Sequence, residues 1–140
     1  MASTFPFRLL TPTGIVFEGE AAEVSAIGPL GEFGILPDHI NFITSLVPGV
    51  LEAKLPDGSK MHWVVSGGLA EVKDNVMTVL ASTAESPETV DPASAAAQVD
   101  EADKQFSTLS FYDPAYAPAQ EALQLARARV EAATLKSTAR

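Results

Sequence analysis

The chain has 140 residues, 46% of them hydrophobic, which suffices for one packed domain with a small appendage. Nine basic against eighteen acidic side chains give a formal charge of -9, which repels a phosphate backbone and argues against nucleic-acid binding. Without cysteine there is no disulfide framework, thiolate nucleophile or thiolate metal site; the first residues lack a secretory pattern, and no apolar run reaches the roughly 20 residues of a membrane-spanning helix.

From Phe5 to about Ala84 the sequence reads as short strands separated by turn signals, the pattern of a β-sandwich or barrel. Around Met61–Val65, one face carries Met61, Trp63 and Val65 and the other His62 and Val64; Val50–Leu55 alternates in the same way. Pro56, Asp57 and Gly58 lie between those runs and supply hairpin chemistry. A second hairpin joins Ala70–Lys73 to Val76–Leu80 across Asp74 and Asn75, so an antiparallel meander is expected. His62, beside Lys60, is expected to be exposed. Ser66, Gly67 and Gly68 read as a tight connection at a sheet edge.

After Glu85 the composition turns to alanine, glutamine and charge, which divides the chain into a sandwich (1–85) and a helical hairpin (86–140). Asp91 reads as an N-cap with Pro92 at the first helical position, and Ala95, Val99, Ala102 and Phe106 form a narrow apolar stripe. A loop follows, and a second helix begins at Asp113-Pro114 or one turn later at Pro118, with the stripe Ala119, Leu123, Ala126, Val130 and Ala133. Such small-residue seams permit close antiparallel packing but hold the hairpin weakly. Charge is uneven: residues 1–85 carry -6, 86–121 carry -6 and 122–140 carry +3. Arg129, Lys136 and Arg140 share a helical face and Arg127 points nearly opposite, either as a solvated helix end or as a basic contact surface.

Gly28, Gly31 and Gly34 match neither the dinucleotide nor the Walker spacing and read as turn residues at a sandwich end. His39 near Asp38 and Glu32 could belong to a small hydrolase or a metal site. No local nucleophile signature accompanies it, and His62 is the only other histidine. A free-standing binding module or small hydrolase using Glu32, Asp38 and His39 is therefore the competing reading.

Thr11-Pro-Thr-Gly14, Phe17-Glu-Gly19, Gly31-Glu-Phe-Gly-Ile-Leu-Pro-Asp-His39, Pro48-Gly49, Ser66-Gly-Gly68 with Glu71-Val72, and Val79-Leu-Ala81 with Ala84-Glu85 occur in an order that resembles the epsilon subunit of the rotary F-type ATP synthase. The resemblance implies a sandwich of about ten strands followed by a two-helix antiparallel hairpin. It implies a non-catalytic central-stalk subunit without cofactor or metal. Its partners would be the gamma subunit, the rotor ring of the membrane sector and, in an inhibited state, the catalytic beta subunit. The complex would sit peripherally on the cytoplasmic face of a bacterial inner membrane, coupling gamma rotation to the ring in proton-driven ATP synthesis. Glu32, Phe33, Pro37 and His39 are then expected at the ring and gamma interface, with His39 beside Glu32. Asp38 stands where the family usually has glycine, and Ile40-Asn41 where it has Ala-Pro. Arg127, Arg129 and Lys136 are expected to meet an acidic loop of beta and restrain hydrolysis. A family nucleotide motif aligns with Val90-Asp-Pro-Ala-Ser-Ala95, where Asp91 matches but Ser94 replaces its arginine, which argues against regulatory ATP binding.

Overall fold

The computed structural model describes residues 3–135. Period-two alternation builds ten strands. They are β1 (Phe5–Thr11), β2 (Gly14–Ala21), β3 (Glu23–Gly28), β4 (Gly31–Ile35), β5 (Phe42–Leu46), β6 (Gly49–Lys54), β7 (Lys60–Val65), β8 (Gly68–Lys73), β9 (Val76–Ala81) and β10 (Ala84–Glu85). A 3-10 turn over Pro87–Thr89 leads to α1 (Pro92–Ser107) and α2 (Tyr116–Leu135).

The strands form two five-stranded sheets, ordered β2-β1-β9-β8-β5 and β10-β7-β6-β3-β4. Both expected hairpins form, with Leu51 opposite Trp63 and Leu69 opposite Leu80. The expected continuous meander does not. β6–β7 belongs to one sheet and β8–β9 to the other, while β1 runs parallel to β9, Leu9 opposite Val79. Turn chemistry encodes neighbours along the chain, whereas the β1–β9 pairing arises from burying Phe5, Phe7 and Leu9 between the sheets. Ser66–Gly68 is the point of transfer from one sheet to the other. Gly68 has φ 140°, and a Cβ there would stand 2.1 Å from the Leu80 carbonyl oxygen, so only glycine fits.

Phe5, Phe7, Leu9, Leu51, Trp63, Met77 and Val79 anchor the core between the sheets. Phe17 bridges Phe7 and Trp63, with ring centroids 5.7 and 5.5 Å apart. Strand β7 departs from simple alternation because Trp63, Val64 and Val65 are all buried. Trp63 and Val65 face the core, while Val64 faces a second cluster with Val90, Ala95, Ala128 and Ala132 beneath the hairpin. That roof also corrects the expectation for His62, whose side chain is only 7% exposed. Its Nε2 donates to Glu52 at 2.9 Å, and its Nδ1 is buried without a partner.

The hairpin starts as its capping residues dictate. Asp91 Oδ2 accepts from the Ser94 amide at 3.2 Å, with Pro92 opening α1. Helix α2 begins at Tyr116, between the two expected starts, behind an Asp113 turn that accepts from the Ala115 amide at 2.8 Å. Of the expected seams, Ala95, Leu123 and Ala126 are buried and the other members half-buried. Ala128 and Ala132, outside that stripe, are buried on a second face of α2 that lies against β6 and β7.

Candidate interaction surfaces

The segment from Gly28 to Phe42 begins as the tight β3–β4 hairpin, Ile27 opposite Glu32 and Ala26 opposite Phe33. Alternation along β4 separates its side chains. Exposed Glu32 turns outward to a polar cleft of about 530 Å3 that also contains Glu23, Lys60, His62 and Glu131. Half-buried Phe33 turns inward to meet Phe42 edge-on at 5.6 Å. His39 packs on Phe42 at 5.7 Å, and its Nδ1–H donates to the Ile40 carbonyl at 2.7 Å. Glu32 thus lines the polar cleft while His39 rests on the Phe42 ring. Pro37 is half-buried and Asp38 exposed between them. Among the described residues no three His, Asp or Glu side chains converge as metal ligands. Glu32, Asp38 and His39 are therefore not grouped as metal ligands.

The loop after β4 is braced against the β8–β9 turn. Asp38, Asp74 and Asn75 have φ of 64°, 51° and 65°, the left-handed region that Asp and Asn tolerate. The Asp38 amide donates to Asn75 Oδ1 at 2.7 Å, and the Asp74 amide donates to Asn41 Oδ1 at 3.0 Å. Each segment supplies one asparagine acceptor and one backbone donor. Asp38 therefore takes a left-handed conformation, and Asn41 holds the opposite turn. Sequence reasoning missed Asn75, whose role depends on a residue 37 positions away.

The outer face of the β2-β1-β9-β8-β5 sheet carries an apolar row: Ile15 opposite Leu10, Leu10 opposite Leu80, and Leu80 opposite Leu69. A bulge between Leu9 and Leu10 turns Ile15 onto this face. Ile15, Leu80 and Leu69 are 63%, 51% and 47% exposed, and no described element covers them. The neighbouring row, Glu18, Arg8, Thr78 and Glu71, is polar up to exposed Ile43 on the edge strand β5. The row was legible only as outward positions of separate strands; the parallel β1–β9 pairing joins them.

On the hairpin, Arg127 is exposed, and Lys136 lies outside the described residues. Arg129 is half-buried: its Nε donates to Glu85 Oε1 at 2.9 Å, its Nη2 to Glu85 Oε2 at 3.2 Å, and its Nη1 to Gln98 Oε1. It borders a cavity of about 550 Å3 between the helices and β7, lined also by Val64, Leu125 and Ala102. Asp91 and Ser94 are engaged with each other at the cap.

The profile of the ATP synthase, Delta/Epsilon chain, beta-sandwich domain matches residues 4–87. The chain is 37% identical over 133 residues to the ATP synthase epsilon chain of Geotalea uraniireducens, covering 95% of this chain and 96% of the relative. It is 39% identical over 130 residues to that of Nitratidesulfovibrio vulgaris, covering 93% and 96%. Its fold is similar to a chain of the Euglena gracilis mitochondrial ATP synthase, with a TM-score of 0.80, 26% identity, and coverage of 96% of this chain and 83% of that one. A chain of the Tetrahymena thermophila mitochondrial ATP synthase, 18% identical with a TM-score of 0.65, shares the fold over 91% of this chain and 94% of its own. With ten strands in two sheets and a helical pair behind them, this chain belongs to the ATP synthase epsilon chain family and is a non-catalytic subunit.

Proposed function

We propose that this chain sits on the central stalk, couples gamma rotation to the membrane rotor ring during proton-driven ATP synthesis, and restrains ATP hydrolysis through its hairpin. The complex then lies peripherally on the cytoplasmic face of a bacterial inner membrane. An asymmetry of the sandwich supports the docking half of this reading. One outer face is roofed by the hairpin, whereas the other leaves Ile15, Leu10, Leu80 and Leu69 in an uncovered row flanked by charge. Such a row, rimmed by polar residues, has the composition of a protein interface. It is the surface we assign to gamma. Glu32 on the β3–β4 hairpin and His39 on the braced loop, with Phe33 and Pro37 behind them, are the ring contacts.

The restraining half of the reading rests on the opposed charges of the chain. Residues 122–140 carry +3 on a protein of -9 overall, so a detached α2 would be drawn to an acidic loop of the beta subunit. The alanine seams that hold it make detachment inexpensive in free energy. Arg127 is free to make such a contact from the folded hairpin; Arg129 must first release Glu85.

Two measurements test these halves separately. Leu69→Asp with Leu80→Asp should abolish copurification with gamma while the isolated chain stays folded; undiminished copurification rules out the docking face. Deleting residues 122–140 should leave assembly intact and raise ATP hydrolysis by the complex. Unchanged hydrolysis sinks the brake.

A further inference from the structure

Four aromatic rings gather at the turn between α1 and α2, and they divide into two pairs. Phe106 and Tyr116 are half-buried with centroids 4.8 Å apart, closing the seam where the helices part. Phe111, 5.3 Å from Tyr116, and Tyr112, 5.6 Å from Phe111, stand outside it, 73% and 91% exposed. The backbone of the turn does not depend on the outer pair. Its backbone is held by the Leu109 amide on the Phe106 carbonyl, the Asp113 amide on Ser110 and the Tyr116 amide on Asp113, all within 3.1 Å. Tyr112 and most of Phe111 thus remain in water, with Phe111 leaning on Tyr116, in a turn whose other residues are mostly small or polar.

The surroundings specify what could cover them. Asp113 is exposed in the turn itself and Asp100, Glu101, Asp103 and Glu121 are exposed on the helices that lead to it, where Lys104 is the one cation of residues 92–121. That charge repels an anionic bilayer and any acidic protein loop, and it is opposite in sign to the +3 segment at the other end of α2. Exposed aromatic anchors inside a charged rim are the composition of an interface hot spot, and the negative rim selects a positive one across from it.

We propose that the hairpin tip is a docking knob: Phe111 and Tyr112 enter an apolar pocket edged by lysine and arginine on a neighbouring subunit of the synthase. The knob rests on the assembly reading given above, and it engages a surface distinct from the one that attracts the basic segment. Tyr112 adds a ring face for a cation of that rim.

The test uses the assembled synthase with a photoreactive phenylalanine analogue at Tyr112 or, in a separate preparation, at Leu80. The Tyr112 probe should attach to a peptide of another subunit that contains lysine or arginine. Its yield should fall with added salt and fall roughly tenfold when Phe111→Ser is included, with the melting curve of the isolated chain unchanged. Attachment only within the chain, to lipid, or to a peptide without basic residues overturns the proposal. Cross-linking from Leu80 with none from Tyr112 overturns the knob and leaves the assembly reading standing; silence from both positions overturns both.

Discussion

Arg129 reaches back 44 residues to clasp Glu85 with two parallel hydrogen bonds, tying the middle of α2 to the last strand of the sandwich. The two side chains are 21% and 32% exposed, so the pair is partly shielded from solvent and bidentate, the arrangement in which an ion pair contributes most. The hairpin otherwise rests on Val64, Val90, Ala95, Ala128 and Ala132, whose small side chains bury little apolar area.

Glu85→Ala is accordingly expected to weaken hairpin attachment by about 1–2 kcal/mol and to leave the sandwich unaltered. Hydrogen exchange should speed up in α1 and α2 but not in β1, β8 or β9. A cycle with Arg129→Ala should return most of the effect as a coupling term. Uniform acceleration across both parts, or no coupling, contradicts a latch.

The braced loop gives a second prediction. Asn75→Gly keeps the positive φ but removes the acceptor for the Asp38 amide, and should lower the unfolding free energy by about 1 kcal/mol. Asp38→Val places a β-branched residue at φ 64° and should cost about 1–3 kcal/mol through backbone strain. Urea midpoints of the two variants would check both. If Asp38→Val matches the parent, the left-handed conformation is not held in solution.

Nucleotide binding is expected to be absent. Asp91 is occupied capping α1 through the Ser94 amide, and the cation that the family motif would supply at Ser94 is missing. Calorimetric titration of the full chain with ATP into the millimolar range should show no saturable heat, and Ser94→Arg is the variant with which to look for a gain. Saturation by the parent chain refutes this prediction.

Asp57 provides a pH-dependent contribution from the β6–β7 turn. The Ser59 hydroxyl and then the Ser59 amide donate to its Oδ1, at 2.6 and 2.9 Å, and hold its carboxyl below the ordinary value. A lowered folded-state pKa means stability that is present above about pH 4 and lost as pH falls through the folded value. The stability gap between the parent and Asp57→Ala should therefore be widest near neutrality and close under acid. A gap that widens on acidification contradicts the assignment.

Much of the architecture was legible in local chemistry. The two hairpins follow from Pro56, Asp57 and Gly58 and from Asp74 and Asn75; α1 follows from Asp91 and Pro92; and the stripes of both helices follow from period 3.6. These features depend on residues within a few positions of one another, so turn and capping preferences determine them. The order of its short motifs was likewise enough to place the chain in its family. His62 was misjudged because alternation reports that a strand has two faces but not that α2 will cover the second.

What only the tertiary structure decided are relations across long separations. The parallel pairing of β1 with β9 assembles the apolar row from Leu10 and Leu80, Asn75 shapes a loop that lies 37 residues earlier, and Arg129 finds Glu85. None of these leaves a periodic trace in the sequence, because each depends on burial of the shared core bringing distant segments together. The sequence by itself determined the elements and their turns; packing determined which side chains face one another and which of them remain open to a partner.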